Sequence, residues 1–158
     1  MAIKHPRDPA VETQLAKDLF NYVWTLLDKP ARTPEEDEQM VHAAHASRWH
    51  WSQVGTPLQL ARGDWQIARV YATLKRVAAA RHYAELYLCM CEEQRLGAFD
   101  LSFAYEGLAR AEAAAGDRVK CDEWLKKARA AGTLIQDVED RKWLEKNLAE
   151  IATDKVGE

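Results

Sequence analysis

The stretch EDEQMVHAAHASRWHWSQVG, residues 36–55, gathers three histidines, two tryptophans and an arginine. At about 100° per residue, Glu38, His42, His45, Trp49 and Ser52 share one face of a helix, while His50 and Trp51 point elsewhere. A carboxylate and two imidazoles so arranged are ligands that suit zinc or iron. One helix supplies at most three such ligands, so a reactive site needs more from a neighbour. His82, with Glu85, Cys89 and Glu92, forms a comparable face further along the chain. Neither HExxH nor the paired ExxH of di-iron bundles is present. The expectation is therefore an aromatic seam in which His42, His45 and Trp49 pack inward against the first or third helix, with no metal bound. The alternative is a metal-dependent enzyme or sensor that uses Glu38, His42, His45 and His82.

Other reactive signatures are missing. There is no phosphate-cradling glycine loop, GxSxG elbow or dinucleotide fingerprint. Cys89 and Cys91 diverge by about 200° on a helix and cannot readily share a metal or a disulfide. Cys121 sits at a small-residue packing position. The acidic run Glu35–Glu38 suits the positive end of a helix dipole and needs no ligand. No cofactor is implied.

The elements that must position these residues are helices. Hydrophobic residues make up 47% and charged residues 30% of 158, which fits one soluble domain with a real core. The net charge of -3 and the lack of a basic, aromatic-interleaved stripe argue against nucleic acid and anionic membranes as partners. No apolar run approaches a membrane span, no signal core opens the chain, and three cysteines without CxxC spacing suit a reducing cytoplasm.

Asp8 and Pro9 start a first helix whose apolar face is Leu15, Leu19, Tyr22, Val23 and Leu26, and Pro30 ends it. Thr33, Pro34 and Glu36 form a capping box for a second helix, to about Val54. Gly55-Thr56-Pro57 is a stop and a fresh start. The third helix runs to about Lys75, straight through Gly63, and a fourth from Val77 to Arg95. Gly97 closes the fourth, Asp100 opens a fifth that reaches Ala115, and Gly116-Asp117 turns into a sixth ending near Ala131. A last helix follows Gly132 and Thr133, with Leu134, Val138, Leu144, Leu148 and Ile151 as apolar positions. The spacing thus predicts seven helices with short connections and antiparallel neighbours.

Internal similarity suggests how they stack. Residues 67–87, IARVYATLKRVAAARHYAELY, align with residues 108–128, LARAEAAAGDRVKCDEWLKKA, at an offset of 41 (108 − 67). Ile67-Ala68 matches Leu108-Ala109, the turn at Lys75-Arg76 matches Gly116-Asp117, and Ala80 matches Cys121. Tyr71 and Ala84 complete the first unit; Leu125 and Ala128 complete the second. This pattern resembles the tetratricopeptide repeat (TPR) family over residues 57–132, with three departures. The offset exceeds the family's repeat of about 34, Glu112 replaces the tyrosine, and the terminal proline is absent.

The resemblance implies a single domain, residues 1–158, wound as a right-handed superhelix of helix hairpins. Residues 9–54 would be a divergent first hairpin and residues 134–152 a capping helix. It also implies a scaffold whose concave face, lined by the first helix of each hairpin, binds a protein, a peptide or a small anion. Here that face carries Arg62, Trp65, Gln66 and Arg69 on the third helix, with Phe103, Glu106 and Arg110 on the fifth. Guanidiniums suit a carboxylate because their planar fork bonds both oxygens, and Trp65 would add apolar contact area. Three arginines brought close require neutralisation by Glu106, Glu112 or an anionic ligand. The competing expectation is a charge network of Arg69 and Arg110 with Glu106 and Glu112. A ligand-free homo-oligomer subunit is the remaining possibility.

Overall fold

The computed structural model describes residues 7–153, which form seven α-helices and no strand. These are α1 (Pro9–Leu27), α2 (Pro34–Val54), α3 (Pro57–Thr73), α4 (Val77–Glu93), α5 (Ala98–Ala115), α6 (Arg118–Gly132) and α7 (Val138–Thr153). None of the described helices is long and apolar enough to cross a membrane. His5 lies outside the described residues. Contacts divide the chain into two compact units, Met1–Gly63 and Asp64–Glu158, so the boundary falls inside α3 rather than in a loop.

Local chemistry sets the helix ends. The Asp8 side chain accepts from the Ala10 N–H, and Pro9 occupies the first turn of α1. At α2 both arms of the capping box are present: Thr33 accepts from the Glu36 N–H, and Glu36 accepts from the Thr33 N–H. Two ends differ from expectation. Helix α5 begins at Ala98, because Asp100 is buried in the first turn and its carboxylate accepts a 2.7 Å bond from the Tyr87 hydroxyl. Helix α7 begins only at Val138, because Asp137 accepts from the Asp140 N–H, which leaves Leu134 outside any helix and 74% exposed.

In the N-terminal unit α1 packs on α2. Ala16, Val23 and Leu26 of α1 and Met40, Val41, Ala43, Ala44 and Ser47 of α2 are buried. The small residues let the backbones approach, and the Ser47 hydroxyl donates to the Ala16 carbonyl at 2.8 Å. Tyr22, expected on the apolar face of α1, is instead 41% exposed and donates to Gln39.

In the C-terminal unit α5 packs against α4, α6 and α7, and α6 also meets α7. Ten residues of α5 are buried, so it is covered on most sides, as a central helix must be. Ala68, Ala84 and Leu108 form a core cluster flanked by Tyr83, Leu88, Tyr105 and Trp124. Ala80 and Ala109 are fully buried, as small residues are where helices pack closely. Three helix ends share one geometry, and at Arg95 (φ 50°) the Leu96 N–H reaches back to Cys91 at 3.0 Å. Lys75 (φ 58°) and Gly116 (φ 77°) are both left-handed. The next N–H in each reaches back five residues, Arg76 to Tyr71 at 2.9 Å and Asp117 to Glu112 at 3.0 Å. That is the six-to-one closure of a helix end.

Candidate functional site

The opening histidine face does not pack inward. Glu38 and His42 are exposed, His45 is half-buried and Trp49 is 50% exposed. The buried residues of α2 are Met40, Val41, Ala43, Ala44 and Ser47, and the three small ones permit an approach that imidazole and indole rings would block. The expected aromatic seam is therefore corrected to an outward face. His50 of this helix has a buried partner: its Nδ1 meets the Glu12 carboxylate, and Glu12 is itself 7% exposed. His82 is exposed on α4, with its ring edge-on to Tyr83. Among the described residues no three His, Cys, Asp or Glu side chains are grouped to hold a metal ion. Cys89 is exposed and Cys91 buried, as opposite helix faces require, and burial pushes the Cys121 thiol above its ordinary value.

The arginines behave differently. Trp65 and Arg69 on α3 and Arg110 on α5 all converge on Glu106, whose side chain is wholly buried. The Trp65 Nε1–H donates to one carboxylate oxygen at 3.1 Å. Arg69 donates to the other at 3.4 Å, and the Arg110 Nε–H shares that same oxygen. Helix α7 completes the site. The Asn147 Oδ1 accepts from Arg69 at 3.1 Å and from Arg110 at 3.0 Å. Glu150 lies 3.7 Å from Arg69 and 3.3 Å from Arg110. The Asn147 amide is held in turn by the Trp143 carbonyl at 2.8 Å.

Two guanidiniums thus face two carboxylates, and the cluster is balanced from within the chain. Of the neutralisers expected, Glu106, Glu112 or an anionic ligand, Glu106 is the one that meets Arg69 and Arg110, and Glu150 joins it. Glu112 plays no part, because six residues along α5 rotate it about 240° from Glu106. It receives a two-bond fork from Arg81 at 2.7 and 2.8 Å instead. That fork holds the Arg81 guanidinium above its ordinary value, first through the hydrogen bonds and then through the Glu112 charge.

Other members of the expected groove are placed otherwise. Trp65 is 9% exposed and meets Phe103 edge-on at 5.7 Å, so it supplies core packing rather than contact area for a ligand. Gln66 is buried at 1% exposure. Arg62 is exposed and belongs to the N-terminal unit.

Asn147 and Glu150 were the residues sequence reasoning missed. The signal was present for one of them: Asn147 interrupts the apolar register of Leu144, Leu148 and Ile151, where a polar side chain needs a partner. Comparison with family models, with curated proteins and with solved structures finds no match.

Proposed function

We propose that the chain is a TPR-like helical scaffold, its hairpins stacked in a right-handed superhelix, that binds a protein or peptide through a carboxylate. The carrying observation is that Arg69 and Arg110, one offset of 41 apart (110 − 69), both reach the carboxylate of Glu150, which is 47% exposed. Glu106 and Asn147 hold the two guanidiniums in place before any partner arrives, which lowers the ordering cost of binding. Glu150 then occupies the position that a partner's acidic side chain or C-terminus takes. Charge balance disfavours a free small anion, since no net positive field draws it in. A peptide gains further contacts that a small anion lacks.

The test is calorimetric titration of acidic and free-carboxylate peptides against three forms of the protein. Glu150→Gln removes the internal competitor and is expected to tighten binding several-fold. Arg69→Ala is expected to weaken it about tenfold or more, since a charge-assisted bond contributes roughly 1.5–3 kcal/mol. Equal binding by wild type and Arg69→Ala, with helix content unchanged, rejects the reading.

A further inference from the structure

A second feature of the C-terminal unit is a cavity between α6 and α7. Its volume is about 550 Å³, within the range of small-molecule sites. It is lined by Gly132, Leu144 and Leu148, which are buried, and by Arg129, Arg141 and Glu145, which are exposed. Gly132 lets α7 come close on one side of it: a Cβ at that position would collide with the Leu144 side chain. The floor is therefore apolar and the rim is charged.

The rim differs from the Glu106 cluster in one decisive respect. Neither Arg129 nor Arg141 has an ion-pair partner among the described residues. Glu145 stands four residues after Arg141 on the same face of α7, yet forms no bridge with it. The rim thus carries two positive charges and one negative. Val138, three residues before Arg141, shares that face by helical spacing and is 52% exposed. Leu134, next to the lining residue Thr133, is 74% exposed. Apolar surface therefore continues beyond the cavity along the connection between the two helices.

We infer that this cavity binds an apolar-bodied monocarboxylate, its head between Arg129 and Arg141 and its body on Leu144 and Leu148. Two guanidiniums suit one carboxylate because each donates paired N–H groups in a planar fork. Glu145 opposes a second negative charge, so a dicarboxylate of equal length binds less well. The free aliphatic acid and the C-terminus of an apolar peptide share this chemistry. The site uses none of the residues that hold Glu150, so it stands or falls apart from the scaffold reading.

The experiment is a nitrogen-15 NMR titration of the full chain with octanoate. Saturable shifts are expected at residues 129–149. Acetate, 1-octanol and octanedioate serve as controls that remove the tail, the charge or the single charge. Each is expected to bind at least tenfold more weakly than octanoate. The double variant Arg129→Ala with Arg141→Ala, both at exposed positions, is expected to lose at least tenfold in octanoate affinity with unchanged helix content. Titration with an apolar hexapeptide, free or amidated at its C-terminus, distinguishes the two sources. Tighter binding by the free-ended peptide than by octanoate assigns the site to chain ends, and the reverse assigns it to free acids. Absence of saturable octanoate shifts at these residues overturns the inference. Equal affinity for octanoate and 1-octanol, or for wild type and the double variant, also overturns it.

Discussion

Glu106 carries a charge in a place no water reaches, and three donors from two helices compensate it. Withdrawing a carboxylate from water costs several kcal/mol unless its lone pairs are met by charge and by hydrogen bonds, and here both are supplied. The Trp65 indole has a single donor, and its bond to Glu106 fixes the ring against Phe103, so the polar and the apolar core share a member. Glu106→Gln keeps the shape and removes the charge that Arg69 and Arg110 share at the buried end of the cluster. The expected loss is about 3–5 kcal/mol, the range for breaking a buried pair from one side. Denaturant unfolding with a fluorescence readout checks it. Glu112→Gln, which disturbs the more exposed fork with Arg81, should cost clearly less. Equal losses at the two positions would show that burial of Glu106 adds nothing.

Helix α2 shows how local signals and packing divide the work. Its start is legible in four residues, because a threonine cap, a proline and a returning glutamate satisfy donors that the helix itself cannot. Thr33→Ala should cost about 1 kcal/mol of stability, measurable by thermal unfolding. The cap also titrates. Lys29, by hydrogen bonding, and then the Thr33 N–H hold the Glu36 carboxyl below the ordinary carboxylate value. A group depressed in the folded state stabilises above its unfolded pKa and loses that contribution as pH falls through the folded one. Stability of α2 should therefore fall on acidification below about pH 4.3, the ordinary glutamate value. Glu36→Gln should flatten that part of the profile, as circular dichroism melts across the acid range will register. The inward face of the same helix was not legible. His42, His45 and Trp49 have helical spacing, but so do Met40, Ala43, Ala44 and Ser47, and periodicity alone does not say which stripe meets a neighbour. The small stripe faces α1 because backbone proximity, not side-chain bulk, governs this contact. Likewise Arg69, Glu106 and Arg110 were legible as a cluster from their offset and helix faces. Asn147 and Glu150 arrive from α7, 78 and 81 residues after Arg69 (147 − 69 and 150 − 69), and no local pattern encodes that distance.

The chain as a whole is two units joined within a continuous helix, a division no linker composition announces. Gly63 marks the edge, and the Arg48 side chain lies against its missing Cβ position, a contact inside the N-terminal unit. Each unit has its own buried set: Ala16, Val23, Met40 and Ala44 in one, and Phe103, Leu108, Ala109 and Leu125 in the other. Compact contact groups of this kind tend to open as separate cooperative blocks, with opening free energies that depend on their own packing. A lesion in one block is therefore expected to lower protection there first. Ala109 is the sharpest place to introduce it, since it is fully buried on the central helix of the C-terminal unit. Ala109→Leu adds three carbons where none fit, and overpacking of this kind costs about 1–3 kcal/mol. Amide hydrogen exchange read by mass spectrometry should then quicken across α5, α6 and α7, while α1 and α2 keep their protection. Uniform quickening from Pro9 to Thr153 would instead mean that α3 couples the units into one cooperative block, and that the division at Gly63 has no energetic counterpart.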